Sequence, residues 1–391
     1  MLAPTTLWTI RSALASDQTG GLHMIYRQRA TIYHAQARSD RAWSAGAWTG
    51  RKQFSGTDSG YICDIAIDSR GIVHAVWAEV SACDGDCGDV FYRRSTDLGQ
   101  TWSYPQVISE GFAYDAALQL ECGHEGTVFV IWDTVSEDGA HQTVTLRGSS
   151  DSGETWNPPV SFGSADKPVY QGAVGIGNDG QIVVVWHPVV GDSIYYQTSA
   201  DDGVEWSEPN PIPNVIARPE NTPPYDRFDM VTDSGGLVHL LAVGCPAVGE
   251  DPTILYHCRW DGATWLEPLV VYSGPRFPEF PSLTVASGSQ LHAVWFTREK
   301  LWGESSWEVW HSQAEINAPV LTPVPLPTLT PTRAPTVAPT STPIRTPTPL
   351  PDPTISKINW RRNANLPLLA GFLVTVVLSS SVLALRQMRR R

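Results

Sequence analysis

The sequence predicts an all-β fold, a six-bladed β-propeller, followed by a disordered Pro/Thr stalk and one transmembrane helix. Three observations carry this. One strand pattern recurs six times at a period of about 53 residues. A turn motif with a fixed Trp recurs inside the same units. The last 74 of the 391 residues change composition abruptly. The expected division is 1–317 propeller, 318–356 stalk and 357–391 anchor with a basic tail.

The repeated strand ends in an aromatic. Its copies are Leu22-His23-Met24-Ile25-Tyr26, Val73-His74-Ala75-Val76-Trp77 and Val128-Phe129-Val130-Ile131-Trp132. Three more follow: Ile182-Val183-Val184-Val185-Trp186, the weaker Val238-His239-Leu240-Leu241-Ala242, and Leu291-His292-Ala293-Val294-Trp295. The end positions are spaced by 51, 55, 54, 56 and 53 residues. A Gly stands a few residues before each copy, as a turn requires. A second strand follows each copy, from Ile32-Tyr33-His34 to Val309-Trp310-His311. A Trp then follows at nearly constant distance: Trp43, Trp102, Trp156, Trp206 and Trp265. About four short strands in about 53 residues is one propeller blade. The His at 23, 74, 239 and 292 is replaced by Phe129 and Val183 elsewhere, so it reads as a fold position and not a ligand set.

The turn before the outer Trp is the sharpest motif. Ser95, Asp97, Gly99, Thr101 and Trp102 form a full Ser-x-Asp-x-Gly-x-Thr-Trp, and Ser149, Asp151, Gly153, Thr155 and Trp156 repeat it. Ser199, Asp201, Gly203 and Trp206 keep all but the Thr. Asp and Ser are suited to cap backbone N–H groups, Gly to take a positive φ, and Trp to bury between sheets. With this motif and period, residues 1–315 resemble the sialidase (neuraminidase) superfamily, whose Asp-box (BNR) repeats have this form. The resemblance implies a structural role for Asp97, Asp151 and Asp201, on the face away from the ligand.

The resemblance also implies an active-site pattern of three Arg, a Tyr–Glu nucleophile pair and an Asp acid/base. A Tyr suits an anionic sugar because a carboxylate would repel it. On this sequence the corresponding residues would be Arg11, Arg227 and Arg276, Tyr225 with Glu279, and Asp64. The family's Arg-Ile-Pro motif is absent; Arg11 stands in Thr9-Ile10-Arg11-Ser12.

Aligned inner strands place Tyr61, Tyr114 and Tyr170 at equivalent positions, with Trp8, Tyr225 and Glu279 within about one residue. These six are the expected ligand-binding ring, since aromatic faces stack on sugar rings. Three readings stand: recognition of a carbohydrate or other extracellular ligand, an exo-α-sialidase or related glycoside hydrolase, and a protein-binding scaffold. No cofactor is expected; Asp84, Asp86 and Asp89 form a weak candidate for Ca²⁺. Six Cys, at 63, 83, 87, 122, 245 and 258, leave disulfide pairing open.

Residues 319–354 are rich in Pro and Thr and read as an extended spacer of roughly 100 Å. The uncharged run 366–385 is long enough to span a bilayer, and Arg386, Arg389, Arg390 and Arg391 behind it favour a cytoplasmic end. The expected location is therefore a single-pass membrane protein with its propeller outside the cell. Absence of a permissive Asn-x-Ser/Thr leans toward a bacterial source.

The overall charge of −13 conceals an asymmetry. Residues 1–317 hold 18 Lys and Arg against 39 Asp and Glu, a net of −21. Such a head is no general nucleic-acid binder. Residues 1–16 lack a signal-peptide pattern, and no outer strand completes the sixth unit. The expectation is a start lying upstream, or else a three-stranded sixth blade.

Overall fold

An amphipathic hairpin unit of about 53 residues cannot bury both faces of its sheet alone. Stacking the units around an axis solves this, and the computed structural model adopts that solution. It describes residues 12–321 except 57–58, 81–87, 110–112, 137–141, 165, 178, 219–227 and 301–304. The stalk, the apolar run 366–385 and the N-terminal Trp8 and Arg11 lie outside the described residues.

Blade one contains β1 (Ser12–Ser16), β2 (Gly21–Gln28), β3 (Thr31–Arg38) and β4 (Thr49–Gln53). Blade two contains β5 (Gly60–Ile67), β6 (Val73–Val80), β7 (Gly88–Ser95) and β8 (Gln106–Val107). Blade three contains β9 (Ala113–Cys122), β10 (Val128–Ser136), β11 (Gln142–Ser149) and β12 (Val160–Phe162). Blade four contains β13 (Val169–Ile176), β14 (Ile182–Pro188), β15 (Tyr195–Ser199) and β16 (Asn210–Pro211). Blade five contains β17 (Asp229–Thr232), β18 (Val238–Gly244), β19 (Ile254–Trp260) and β20 (Leu269–Ser273). Blade six contains β21 (Phe277–Ala286), β22 (Gln290–Arg298) and β23 (Trp307–Glu315), three strands among the described residues. All neighbours within a blade are antiparallel. A single parallel bridge, Gly88 to Tyr114, joins blades two and three.

The recurring strand is the second of each blade, and its apolar residues fill the spaces between blades. Trp77, Val76 and Ala75 are fully buried, as are Val128, Val130 and Ile131. Five apolar clusters occupy the interfaces from blades one and two through to blades five and six. At roughly 25 cal/mol per Å² of apolar surface, these interfaces are the main stabilising term.

The Ser-x-Asp-x-Gly turns make the bonds their residue types suggest. Asp97 accepts the Thr101 N–H at 2.7 Å and its hydroxyl at 2.5 Å. Ser95 Oγ donates to Asp97 and accepts the Gly99 N–H at 2.8 Å. The 149–156 turn repeats this set. Leu98 and Gly99 both have positive φ, as do Ser152 with Gly153 and Asp202 with Gly203. Two successive left-handed residues define the I′ hairpin turn that fits the strand twist. Hydrogen bonds led by the Thr101 hydroxyl hold the Asp97 carboxyl at about 2.

The expected outer Trp of blade one is displaced. In blade two Trp102 stands four residues before Gln106, which pairs with Tyr92. In blade one the equivalent pair is His34 with Lys52, so Trp48 holds the position assigned to Trp43. Trp43 is 76% exposed. The cause is a turn four residues longer than in blade two.

At the turn face, blades one, two and five each set a carboxylate beneath the recurring His. Asp17 meets His23 at 3.2 Å, and His23 meets His34 at 3.3 Å. Asp233, His239 and His257 repeat the chain at 3.1 and 2.8 Å. Asp68 and His74 end on the Tyr92 hydroxyl at 2.7 Å. His23, His74 and His239 are buried inter-strand linkers, and half-buried His292 meets His311 at 3.1 Å.

Candidate functional site

The innermost strands present one unpaired edge to the channel, and their N–H groups need acceptors. Ala13, Asp64, Gln119, Ala173, Asp229 and Ser282 occupy one register level of the six strands. Asp64, Gln119 and Asp229 each reach into a following blade. Asp64 accepts the Leu120 N–H at 3.0 Å, Gln119 accepts that of Val174 at 3.3 Å, and Asp229 accepts that of Leu283 at 2.7 Å. Gln119 also crosses to Asp229 at 3.3 Å. Asp64, the expected acid/base, is therefore placed as a brace between blades; its second oxygen accepts the Ile65 N–H at 3.0 Å.

Glu121 follows on the same face of β9. Burial first, then the charges of Asp229 and Asp64, lift its carboxyl well above the usual range.

Near the end away from the Ser-x-Asp turns, four inner strands carry bulges. In β9, β13 and β21 two residues oppose the single Trp132, Trp186 or Trp295. The bulged residues Ala117, Gln171 and Phe280 have φ of 56°, 59° and 47°, a region non-glycine residues rarely occupy. Asp133 holds one bulge from the preceding blade, accepting the N–H groups of Gln171 at 2.9 Å and Gly172 at 3.1 Å. Arg27 holds another, donating to the Gly60 carbonyl at 2.7 Å. Such bulges re-aim side chains and concentrate at functional rims.

The bulges decide which expected residues share the mouth. Tyr170 lies opposite His187, and Glu279 opposite Phe296, at equivalent positions. Tyr61 is the bulged residue of β5. Tyr114 lies opposite Val135, with Ala116 at the level of Tyr170, so Tyr114 sits two residues outside the expected ring level. Tyr61 and Tyr170 are half-buried, and the Tyr170 ring lies 5.1 Å from that of His187. Burial holds His187 down at about 4, so it is neutral at physiological pH.

Blade six supplies the strongest electrostatic feature. Glu279 is fully buried and forms an ion pair with Arg298 at 3.0 Å. Arg298 is 3% exposed, and its guanidinium lies 4.4 Å from the centre of the Trp307 ring. A buried pair of this kind requires both partners, since either alone is an uncompensated charge. Cross-strand geometry creates it: Arg298 faces Phe277, two residues from Glu279 on the same face. Sequence reasoning missed Arg298; its signal was an Arg ending the recurring strand diagonally opposite an inner-strand Glu.

Arg276 is placed as a support. Its Nε donates to Thr297 Oγ1 at 3.1 Å and its Nη2 to the Ser306 carbonyl at 2.7 Å. Glu308 lies 3.7 Å away. Trp8, Arg11, Tyr225, Arg227, Asp84, Asp86 and the side chain of Tyr114 lie outside the described residues. Asp89 accepts the Ser109 hydroxyl at 3.2 Å. Among the described residues no group of three His, Cys, Asp or Glu is gathered as a metal site. Cys63, Cys122, Cys245 and Cys258 are thiols and form no disulfide in the structure.

No protein-family model matches the chain, and no curated protein matches its sequence. The fold has many solved counterparts. A protein of unknown function from Dyadobacter fermentans superposes with a TM-score of 0.57 at 12% identity, covering 79% of this chain and 95% of the other. The α-L-arabinofuranosidase of Fusarium graminearum superposes at 0.51 and 12%, covering 74% and 88%. The leech intramolecular trans-sialidase superposes at 0.51 and 9%, covering 78% and 68%. The chain thus has the sialidase-like six-bladed propeller fold. At these identities the likeness is one of fold.

Proposed function

We propose that this chain is a membrane-anchored, surface-displayed propeller that recognises a carbohydrate at its channel mouth. The observation that carries this is the bulged rim of the inner strands, where Tyr170 and Glu279 share one register level and Tyr61 stands at the bulge of β5. Half-buried aromatic side chains at such a rim supply the stacking faces a sugar ring needs. Neighbours of this fold include an α-L-arabinofuranosidase and a trans-sialidase, which supports a sugar ligand by analogy of fold.

The placement of Asp64 and Arg276 in bracing bonds favours recognition over hydrolysis. Orientation follows from where the chain leaves the propeller. Residues 316–321 dock at the turn face, with the Ile316 N–H on the Ser289 carbonyl and the Leu321 N–H on the Ser287 carbonyl. A stalk starting there puts the mouth on the far side from the anchor.

The test is a glycan array with the purified full chain, beside turnover of fluorogenic sialoside and arabinofuranoside. Glycan binding lost in Tyr170→Ala with unchanged melting supports the reading. Turnover abolished by Tyr225→Phe would replace it with a hydrolase.

A further inference from the structure

The turn face carries a second feature, in blade one. The four-residue extension between β3 and β4 forms a short 3₁₀ turn at Ala45–Ala47 and opens a cavity of about 490 Å³. Its walls include Gln36, Arg38, Arg41 and Thr49 from blade one, with Leu98 and Gln100 from the neighbouring turn of blade two. That volume lies in the range of small-molecule sites. Trp43 stands on the same extension, 76% exposed, flanking the residues that line the cavity in sequence.

The charged residues of its lining are Arg38, Arg41 and Asp17. Arg38 pairs with Asp40 at 3.1 Å on the rim. Arg41 makes no ion pair among the described residues. Asp17 also lines the cavity, but its carboxylate is taken up by Thr19, the Gly21 N–H and His23.

We propose that this cavity binds an acidic saccharide, a sugar bearing a uronic-acid carboxylate, independently of the channel mouth. Guanidinium groups match a carboxylate with paired N–H donors. Gln36 and Thr49 offer hydroxyl partners, and the Trp43 indole offers a stacking face for the ring. The concave shape fits a discrete sugar better than a flat anionic membrane.

The test measures binding of trigalacturonate to the full chain by titration calorimetry. Its methyl ester is the uncharged control, and inorganic sulfate and anionic phosphatidylglycerol vesicles are run at matched ionic strength. The expected result is binding of the acid at least tenfold tighter than the ester, with no competition from sulfate. Arg41→Ala and Trp43→Ala should each weaken it about tenfold while leaving the melting temperature unchanged. Tyr170→Ala at the mouth should leave it intact, which separates this site from the first. Equal binding of acid and ester, indifference to both variants, or Arg41-dependent binding of vesicles alone would each overturn the proposal.

Discussion

Acid should destabilise this propeller through its buried histidines, His34 and His257 together with His187, which burial holds at about 4. Burial, with the charges of His23 and Lys52, pushes His34 down to about 3. Burial, with His239 and Arg259, does the same to His257. In the unfolded chain both titrate near 6.5, so the unfolded state takes up protons first as pH falls. Their contribution is complete above pH 6.5 and is lost progressively from there towards 3. At pH 5 the loss is RT ln(1 + 10^1.5), about 2 kcal/mol for each histidine and about 4 kcal/mol for both. The carboxylates enter later: burial would raise Asp68, but bonds from His74, the Ile72 N–H and Ser152 outweigh it and hold it at about 2. Urea unfolding followed by Trp fluorescence at pH 7.5, 6 and 5 measures the effect. A double His34→Gln, His257→Gln variant should lose most of the pH slope. Wild-type stability that changes by less than about 1 kcal/mol over this range, or a double variant with the same slope, would refute the reasoning.

Other substitutions test other links. Arg298→Leu should destabilise by about 3–5 kcal/mol by stranding Glu279, and adding Glu279→Leu should recover most of it in the same urea assay. Gly153→Ala should be strongly destabilising, because φ is +77° and a Cβ would stand 1.8 Å from the Tyr92 hydroxyl; a melting temperature within 2 °C of wild type would contradict the turn geometry. Trp48→Ala should cost about 2–3 kcal/mol and Trp43→Ala under about 0.5, the reverse of the order expected from spacing alone.

The blades were legible because burial between them imposes a strand period and fixed apolar positions. The Ser-x-Asp-x-Gly turns were legible because each residue type has one job in the bond set. The misplaced outer Trp has a physical cause: the recurring spacing carries no record of an insertion in one turn. The longer turn moved the outer Trp from 43 to 48. Tyr114 stands 18 residues before Trp132 whereas Tyr170 stands 16 before Trp186, and since β9 and β13 carry the same bulge, Tyr114 lies two places beyond the level of Tyr170. Arg298 was invisible for another reason, since its importance lies in a diagonal cross-strand contact with Glu279.

The channel carboxylates look like chemistry in the sequence and act as structure in the fold. An inner strand at a channel edge has N–H groups that neither a neighbouring strand nor bulk water satisfies fully, and leaving one unmade costs about 1–3 kcal/mol. Asp64 and Asp229 meet that need for Leu120 and Leu283. Asp64→Asn removes one of two acceptors while keeping shape. It should cost about 1–2 kcal/mol in urea unfolding and leave glycan binding at the mouth within twofold. Loss of binding with stability unchanged would return Asp64 to the ligand site. Because these carboxylates are already committed to backbone, and Glu279 and Arg298 to each other, the proposed recognition at the mouth rests on the bulged rim that carries Tyr61 and Tyr170.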